Sequence, residues 1–181
     1  MAISNINTLE DFETLINLPG NEDLIFEFID GEIIEVPSNP YSSEIGVNVI
    51  FLLKLHDRET RLGHITGENA GYMIAGARLS PDVAYISKAR QPEFPREGYC
   101  PNPPELAVEV ISPTDRESAL TKKLAKYREA GVVVWVFRPK TQTAEVHVPG
   151  KPTVTYGIND TLDGGDVLPG FQLSVREVFQ T

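Results

Sequence analysis

The chain contains a single cysteine, Cys100, among its 181 residues, so it cannot form an internal disulfide. It also lacks a long hydrophobic run, since the apolar segment 132–137 is far shorter than the roughly 20 residues that cross a bilayer. The first residues have no basic region followed by an apolar stretch, which indicates no signal peptide. These absences predict a cytoplasmic protein without a membrane partner.

Basic residues are also scarce, with 16 Lys and Arg against 26 Asp and Glu, which gives a formal net charge of −10. This balance argues against a simple nucleic-acid binder, because a surface that neutralises phosphates needs basic side chains. It does not exclude one, since charge can be local and a metal site needs acidic residues of its own. Length and the 41% hydrophobic content predict one domain over residues 1–181 with its own core.

The order of the predicted elements indicates an α/β fold, with a mixed central β-sheet flanked by helices and an N-terminal hairpin. Asp30-Gly31 marks the hairpin turn. Helices are predicted from a Thr8 N-cap to about residue 17, from a Ser42 N-cap to Asp57, and over 115–130 and 174–179. The predicted strands are 24–29, 32–36, 64–66, 72–74, 80–87, 105–112, 132–137, 143–148 and 153–156.

Two carboxylates, Asp82 and Glu109, occur in predicted strands whose other residues are mainly apolar. An ionised carboxylate removed from water costs several kcal/mol or more unless a partner neutralises it. Alternation along a strand places Glu109 on one face with Ala107, while Val108 faces the other way. If the two strands are neighbours, both carboxylates converge on one cation, and Mg²⁺ suits such an oxygen site.

The helix predicted over 115–130 supplies a candidate cation. At roughly 100° per residue, Leu120 and Tyr127 define a buried stripe, and Lys123 lies at its edge. Lys122 falls on the opposite side, towards water. Lys123 is therefore the lysine that we expect to lean towards the end of the strand with Glu109, where its ammonium could orient an attacking water or stabilise phosphate charge.

Simpler roles remain open for each of these residues on the sequence alone. Asp82 follows a proline and could cap a turn at the start of a strand. Glu109 could belong to a structural ion pair with an arginine or a lysine. Lys123 taken alone is typical of a surface lysine whose aliphatic stem packs on apolar neighbours.

The chain resembles the Uma-type restriction endonuclease family, within the PD-(D/E)XK nuclease superfamily. The resemblance lies in a set of segments in this order: FEFIDGE (26–32), SPDVA (80–84), PELAVEVISP (104–113), KLAKYREAGV (123–132), VWV (134–136) and LPGF (168–171). It implies a restriction-endonuclease-like fold, Mg²⁺-dependent phosphodiester hydrolysis with Mn²⁺ as a possible substitute, and a homodimer.

The resemblance also implies roles for individual residues. Pro81-Asp82 matches the PD element and Glu109 matches the acidic member of (D/E)XK, while Ile111 stands where the superfamily has its lysine. Lys123 on the following helix matches the displaced lysine. The resemblance further implies that the metal is held by Asp82, Glu109 and the backbone carbonyl of Val110. It adds a glutamate from an early helix, for which Glu44 is the first candidate and Glu32 the second.

These observations predict a metal-dependent endonuclease that acts on nucleic acid, with DNA as the favoured substrate and Asp82, Glu109 and Lys123 as the catalytic residues. The alternative is a catalytically inactive nuclease-fold domain that serves in binding or dimerisation. The net charge of −10 and the absence of lysine at position 111 favour that alternative.

Overall fold

The computed structural model describes residues 8–21, 23–36, 39–112 and 117–180, which form four helices and twelve strands. The helices are α1 (Leu9–Ile16), α2 (Pro40–Asp57), α3 (Glu117–Glu129) and α4 (Val175–Phe179). The strands are β1 (Phe26–Ile29), β2 (Glu32–Glu35), β3 (Gly63–Gly67), β4 (Tyr72–Ile74), β5 (Ala77–Leu79), β6 (Val83–Ser87), β7 (Leu106–Val110), β8 (Val133–Arg138), β9 (Thr143–His147), β10 (Val154–Tyr156), β11 (Thr161–Asp163) and β12 (Gln172–Ser174). Within the described part of the chain, no helix is long and apolar enough to cross a membrane.

The central sheet has six strands in the order β10-β9-β8-β7-β6-β3. Its pairs are antiparallel except β7 and β8, which run parallel and are separated in sequence by α3. Parallel neighbours need such a crossover connection. A second, antiparallel sheet has the order β2-β1-β5-β4, and β11 pairs with β12. The mixed central sheet with flanking helices agrees with the predicted fold class.

Alternation along β7 separates two hydrophobic clusters on the two faces of the central sheet. Val108 belongs to the cluster that contains Val49 of α2. Ala107 belongs to the other cluster, which contains Tyr127 of α3. Glu109 lies two residues after Ala107 and therefore points to the face covered by α3. This arrangement directs a charged side chain beneath a basic helix.

The predicted hairpin is confirmed. Ile29 pairs with Glu32, and both turn residues have positive φ, 49° at Asp30 and 80° at Gly31. A two-residue turn of this kind needs positive φ at both positions, which Asp-Gly adopts readily. The turn brings β2 back beside β1, and β1 pairs on its other side with β5. The hairpin is thereby joined to the segment that leads into β6.

The strand predicted over 80–87 was too long at its start. β5 ends at Leu79 and β6 begins at Val83, so Asp82 lies directly before the strand and not within it. Pro81 has no N–H to donate to a ladder, which is consistent with the interruption. Within this short connection, the N–H of Ser80 donates to a side chain, that of Glu27.

Helix ends were predicted with mixed success. Thr8 caps α1 as expected, since its side chain accepts a hydrogen bond from the N–H of Asp11. Ser42 was the wrong cap for α2, because Asn39 accepts from the N–H groups of residues 41 and 42. The start predicted for α3, at residue 115, lies outside the described residues. Its end is confirmed at Gly131, whose φ of 73° takes the chain out of the helix.

Candidate active site

The register of the central sheet places Asp82 opposite Glu109. The antiparallel ladder between β6 and β7 ends with Val83 paired to Val108, and continuing this register by one residue puts Asp82, directly before β6, opposite Glu109 of β7. Directly opposed residues point to the same face, with Cβ atoms about 4.5–5.5 Å apart. Asp82 Oδ2 also accepts a hydrogen bond from the N–H of Val110 at 2.6 Å. Asp82 thus lies next to Glu109 in the register, although the strand that was predicted to contain it begins only at Val83.

Both oxygens of Glu109 have a donor from α3. The Tyr127 hydroxyl donates to Oε1 at 2.6 Å, and the Lys123 ammonium donates to Oε2 at 2.6 Å. The Lys123 side chain is only 12% exposed, so it leans inward as its helical angle indicated. The ion pair considered as a structural alternative for Glu109 is therefore present, and its partner is Lys123.

Glu27 of β1 is a third acidic residue at this position, and the sequence argument missed it. Its Oε1 lies 3.0 Å from Lys123 Nζ and accepts a hydrogen bond from the N–H of Ser80 at 3.0 Å. Its side chain is 3% exposed. A signal was available, because Glu27 is the one charged residue in an apolar strand, which is the criterion that selected Glu109.

The balance of charge in this cluster is negative. Glu109 and Glu27 contact the Lys123 ammonium and Asp82 acts on it electrostatically, which leaves a formal charge of −2 if all four groups are ionised. Burial raises the pKa of Asp82 to about 6, although the Lys123 ammonium and the Val110 N–H act in the opposite direction. Burial likewise raises the pKa of Glu109, against the effect of Lys123. The cluster therefore favours the uptake of a proton or of another cation.

The same environment favours the charged form of Lys123. Burial alone would lower the pKa of its ammonium, but the charges of Glu109, Glu27 and Asp82 together raise it above the ordinary value. Lys123 is therefore protonated at neutral pH and cannot serve as a general base. An ammonium in this position can donate hydrogen bonds and stabilise negative charge.

The donor set fits a metal held by few protein ligands. Among the described residues, no three His, Cys, Asp or Glu side chains are arranged to hold a metal ion. Mg²⁺ needs only one or two carboxylates, because water and substrate phosphate complete its shell. Each oxygen of Glu109 accepts one hydrogen bond and retains a lone pair. The Val110 carbonyl points to the same edge of β7 as the N–H that meets Asp82.

The two glutamates suggested for an early helix are not brought to this cluster. Glu44 is exposed on α2, about 200° around the helix from Gly46, where an added Cβ would lie 3.9 Å from the Asp82 carbonyl oxygen. Glu32 pairs instead with Lys122 at 2.7 Å. The additional glutamate that the structure brings to Lys123 is Glu27, from the hairpin.

A further acidic residue, Glu68, lies on the other side of Asp82. Gly67 pairs with Val83 at the end of the β3–β6 ladder, so the next step places Glu68 opposite Asp82. Glu68 and Asp82 line a cavity of about 520 Å³, together with the buried Ser42, whose hydroxyl has no hydrogen-bond partner among the described residues. This cavity provides an approach to Asp82. Only the sheet register reveals the proximity of Glu68.

The mixed sheet, the acidic residue before β6 beside the one in β7, and the lysine on the following helix define a protein with the restriction-endonuclease-like fold. The chain belongs to the Uma2 family, whose model, described as "Putative restriction endonuclease", matches residues 9–176. It is similar in fold to a "putative nuclease belonging to DUF820" from Anabaena variabilis ATCC 29413, with a TM-score of 0.79 and 20% identity over 92% of this chain and 96% of that one. A search of curated proteins found no match. Membership of this family supports a nuclease function.

Proposed function

We propose that this protein is a Mg²⁺-dependent endonuclease that hydrolyses phosphodiester bonds in nucleic acid, with DNA as the favoured substrate and Mn²⁺ as an alternative ion. One observation carries the proposal. The half-buried Asp82, directly before β6, accepts a hydrogen bond from the residue after the buried Glu109 of β7, and the Lys123 ammonium contacts Glu109 at 2.6 Å. Buried negative charge in excess of its cation is the setting in which a divalent ion binds favourably.

Asp82, Glu109 and the Val110 carbonyl would hold the ion. When bound, Mg²⁺ supplies stabilisation of phosphate charge and lowers the pKa of a bound water. Lys123, as a permanent ammonium, orients the attacking water or the phosphate by hydrogen bonding. Tyr127 and Glu27 are positioning residues, because their contacts hold Glu109 and Lys123 in place. The products of the attack are a phosphomonoester and a free hydroxyl.

The test is cleavage of supercoiled plasmid and of single-stranded DNA by the purified protein, with Mg²⁺, with Mn²⁺ and with chelator. We expect metal-dependent cleavage that falls roughly 100-fold or more in Asp82→Asn and Glu109→Gln, a loss of about 2.7 kcal/mol in transition-state stabilisation. Circular dichroism of each variant shows whether the fold is retained.

Glu177→Gln is the matched control, because Glu177 is an exposed glutamate of α4, whose buried residues pack on the face of the central sheet opposite α3. It should cleave at the wild-type rate. Cleavage that survives in folded Asp82→Asn and Glu109→Gln proteins would assign the activity to another site or to a contaminant. No cleavage of DNA or RNA by the wild type would favour the alternative of an inactive domain that serves in binding. A cytoplasmic location and a single domain over residues 1–181 remain predictions.

We further propose that the protein is a homodimer. Val47, Phe51 and Leu55 lie on one face of α2, and their exposed fractions are 58%, 63% and 51%. Glu44 precedes Phe51 by seven residues and Arg58 follows it by seven, so an antiparallel two-fold pairing of α2 with its copy brings opposite charges together. Sedimentation equilibrium tests this: Phe51→Glu should yield monomers, whereas a change at another exposed apolar residue, Val154→Glu, should not.

A further inference from the structure

Positive charge is concentrated in a cavity of about 540 Å³ beside β3, the outer strand of the central sheet. Four cationic side chains line it: Lys54, Arg58, Arg61 and Lys88. Asp57 is the one acidic residue in the lining, so the local formal charge is +3, in a chain whose overall charge is −10. A local reversal of sign against such a background is the pattern of an anion-binding site.

One of the four cations, Arg58, has an ion-pair partner in the described residues, Glu59 at 3.7 Å, and ion pairs do not account for the other three. The Asp57 carboxylate is held by its own turn, where Oδ1 accepts from the N–H of Leu62 at 2.8 Å. Three of the cations have no ion-pair partner among the described residues: Lys54, Arg61 and Lys88. Basic residues in the last turn of a helix complement its dipole, which explains Lys54. Lys88 directly follows a strand, β6, so the dipole of a helix does not explain its position.

The cavity adjoins the approach to the candidate active site. Thr66 lines both this cavity and the one that contains Asp82. Asp82 directly precedes β6 and Lys88 directly follows it. Six residue-to-residue steps at about 3.3 Å each separate Asp82 from Lys88 by about 20 Å, so the cavity extends from the approach to Asp82 towards the far end of β6.

We propose that this cavity binds the phosphate backbone of the nucleic-acid substrate to one side of the bond that is cleaved. The inference rests on the proposed nuclease function for the identity of the ligand. It also explains how a protein with a net charge of −10 can bind a polyanion: the basic contact is confined to one edge of the sheet.

The test compares Arg61→Gln/Lys88→Gln with wild type for binding of a labelled duplex of about 20 base pairs, in chelator so that no cleavage occurs, from about 50 to about 200 mM salt. Glutamine is compatible with the φ of 47° at Arg61, because Gln142 adopts a φ of 51° in this chain. The matched control is Lys140→Gln/Lys151→Gln, with the same change in charge at exposed positions that flank β9.

We expect weaker binding by Arg61→Gln/Lys88→Gln and a plot of log K against log salt that is less steep by about 1.8, from about 0.9 for each lost phosphate contact. The control should retain the wild-type slope. An unchanged slope, an equal change in the control, or no binding by the wild type would each overturn the inference. Plasmid cleavage with Mg²⁺ is measured in parallel: binding without cleavage refutes only the nuclease function, and cleavage with an unaltered slope refutes only this site.

Discussion

Lys123→Met removes the ammonium that lies between Glu109 and Glu27 while keeping an unbranched side chain of similar length. The ammonium contacts these carboxylates at 2.6 and 3.0 Å, and the three side chains are 12%, 7% and 3% exposed. Removing one member of a buried ion pair costs about 3–5 kcal/mol, because the remaining charge is buried without compensation. Since whole domains are stable by about 5–15 kcal/mol, we expect a large loss in the free energy of unfolding.

The loss should depend on pH and on metal. Burial already raises the pKa of Glu109, so without Lys123 this carboxyl should take up a proton more readily and become neutral in mild acid. The penalty should therefore be larger near pH 8 than near pH 5.5, and Mg²⁺ should recover part of it near pH 8. Urea unfolding followed by the fluorescence of Trp135, which is buried and stacks on Phe171, measures the free energy at each condition.

Lys122→Met is the matched control on the same helix. The Lys122 side chain is 38% exposed and pairs with Glu32, which is 59% exposed, so its removal should cost about 0–1 kcal/mol. The reasoning would be refuted if Lys123→Met lost less than about 1 kcal/mol near pH 8, or if its loss were the same at both pH values.

Three further predictions concern the same cluster. The pKa of Asp82 is raised from 3.8 to about 6 in the folded state, so the folded protein binds a proton more tightly than the unfolded chain. In chelator, the free energy of unfolding should therefore increase by up to about 3 kcal/mol as pH falls from about 7 to about 4. Urea unfolding should show a smaller increase in Asp82→Asn, and an equal increase would contradict the assignment. Mg²⁺ should raise the melting temperature of the wild type more near pH 8 than near pH 5.5, because protons compete for Asp82; equal shifts in calorimetry would argue against metal binding there. Tyr127→Phe removes the hydroxyl that donates to Glu109 and should cost about 1.5–3 kcal/mol of stability and lower kcat with KM unchanged, whereas a rise in KM alone would indicate a substrate contact.

Much of the fold could be predicted because its signals are local. The apolar run of β8, the Asp30-Gly31 turn and Gly131 at the end of α3 each depend on neighbouring residues, and the structure confirms all three. Errors occurred where a hydrogen bond decided the boundary. Asn39 displaced Ser42 as the cap of α2, and the strand predicted from residue 80 begins only at Val83.

The candidate site was predictable in part for the same reason. The helical angle of Lys123 follows from backbone geometry within α3, and it identified the lysine that contacts Glu109. Glu27 and Glu68 escaped notice because their proximity depends on which strands pair and in what register. The pairing of β1 with β5 brings Glu27 close to Lys123. The pairing of β3 with β6 brings Glu68 close to Asp82.

The sequence by itself determined which acidic residues interrupt apolar strands and which lysine faces the core, because a strand alternates and a helix turns in the same way wherever it is placed. Only the tertiary structure decided that Glu27 joins Lys123, that Glu44 and Glu32 do not, and that scattered cations meet in one cavity of an acidic chain. The proximity of these residues depends on strand order, register and the packing of distant elements, which no single segment encodes.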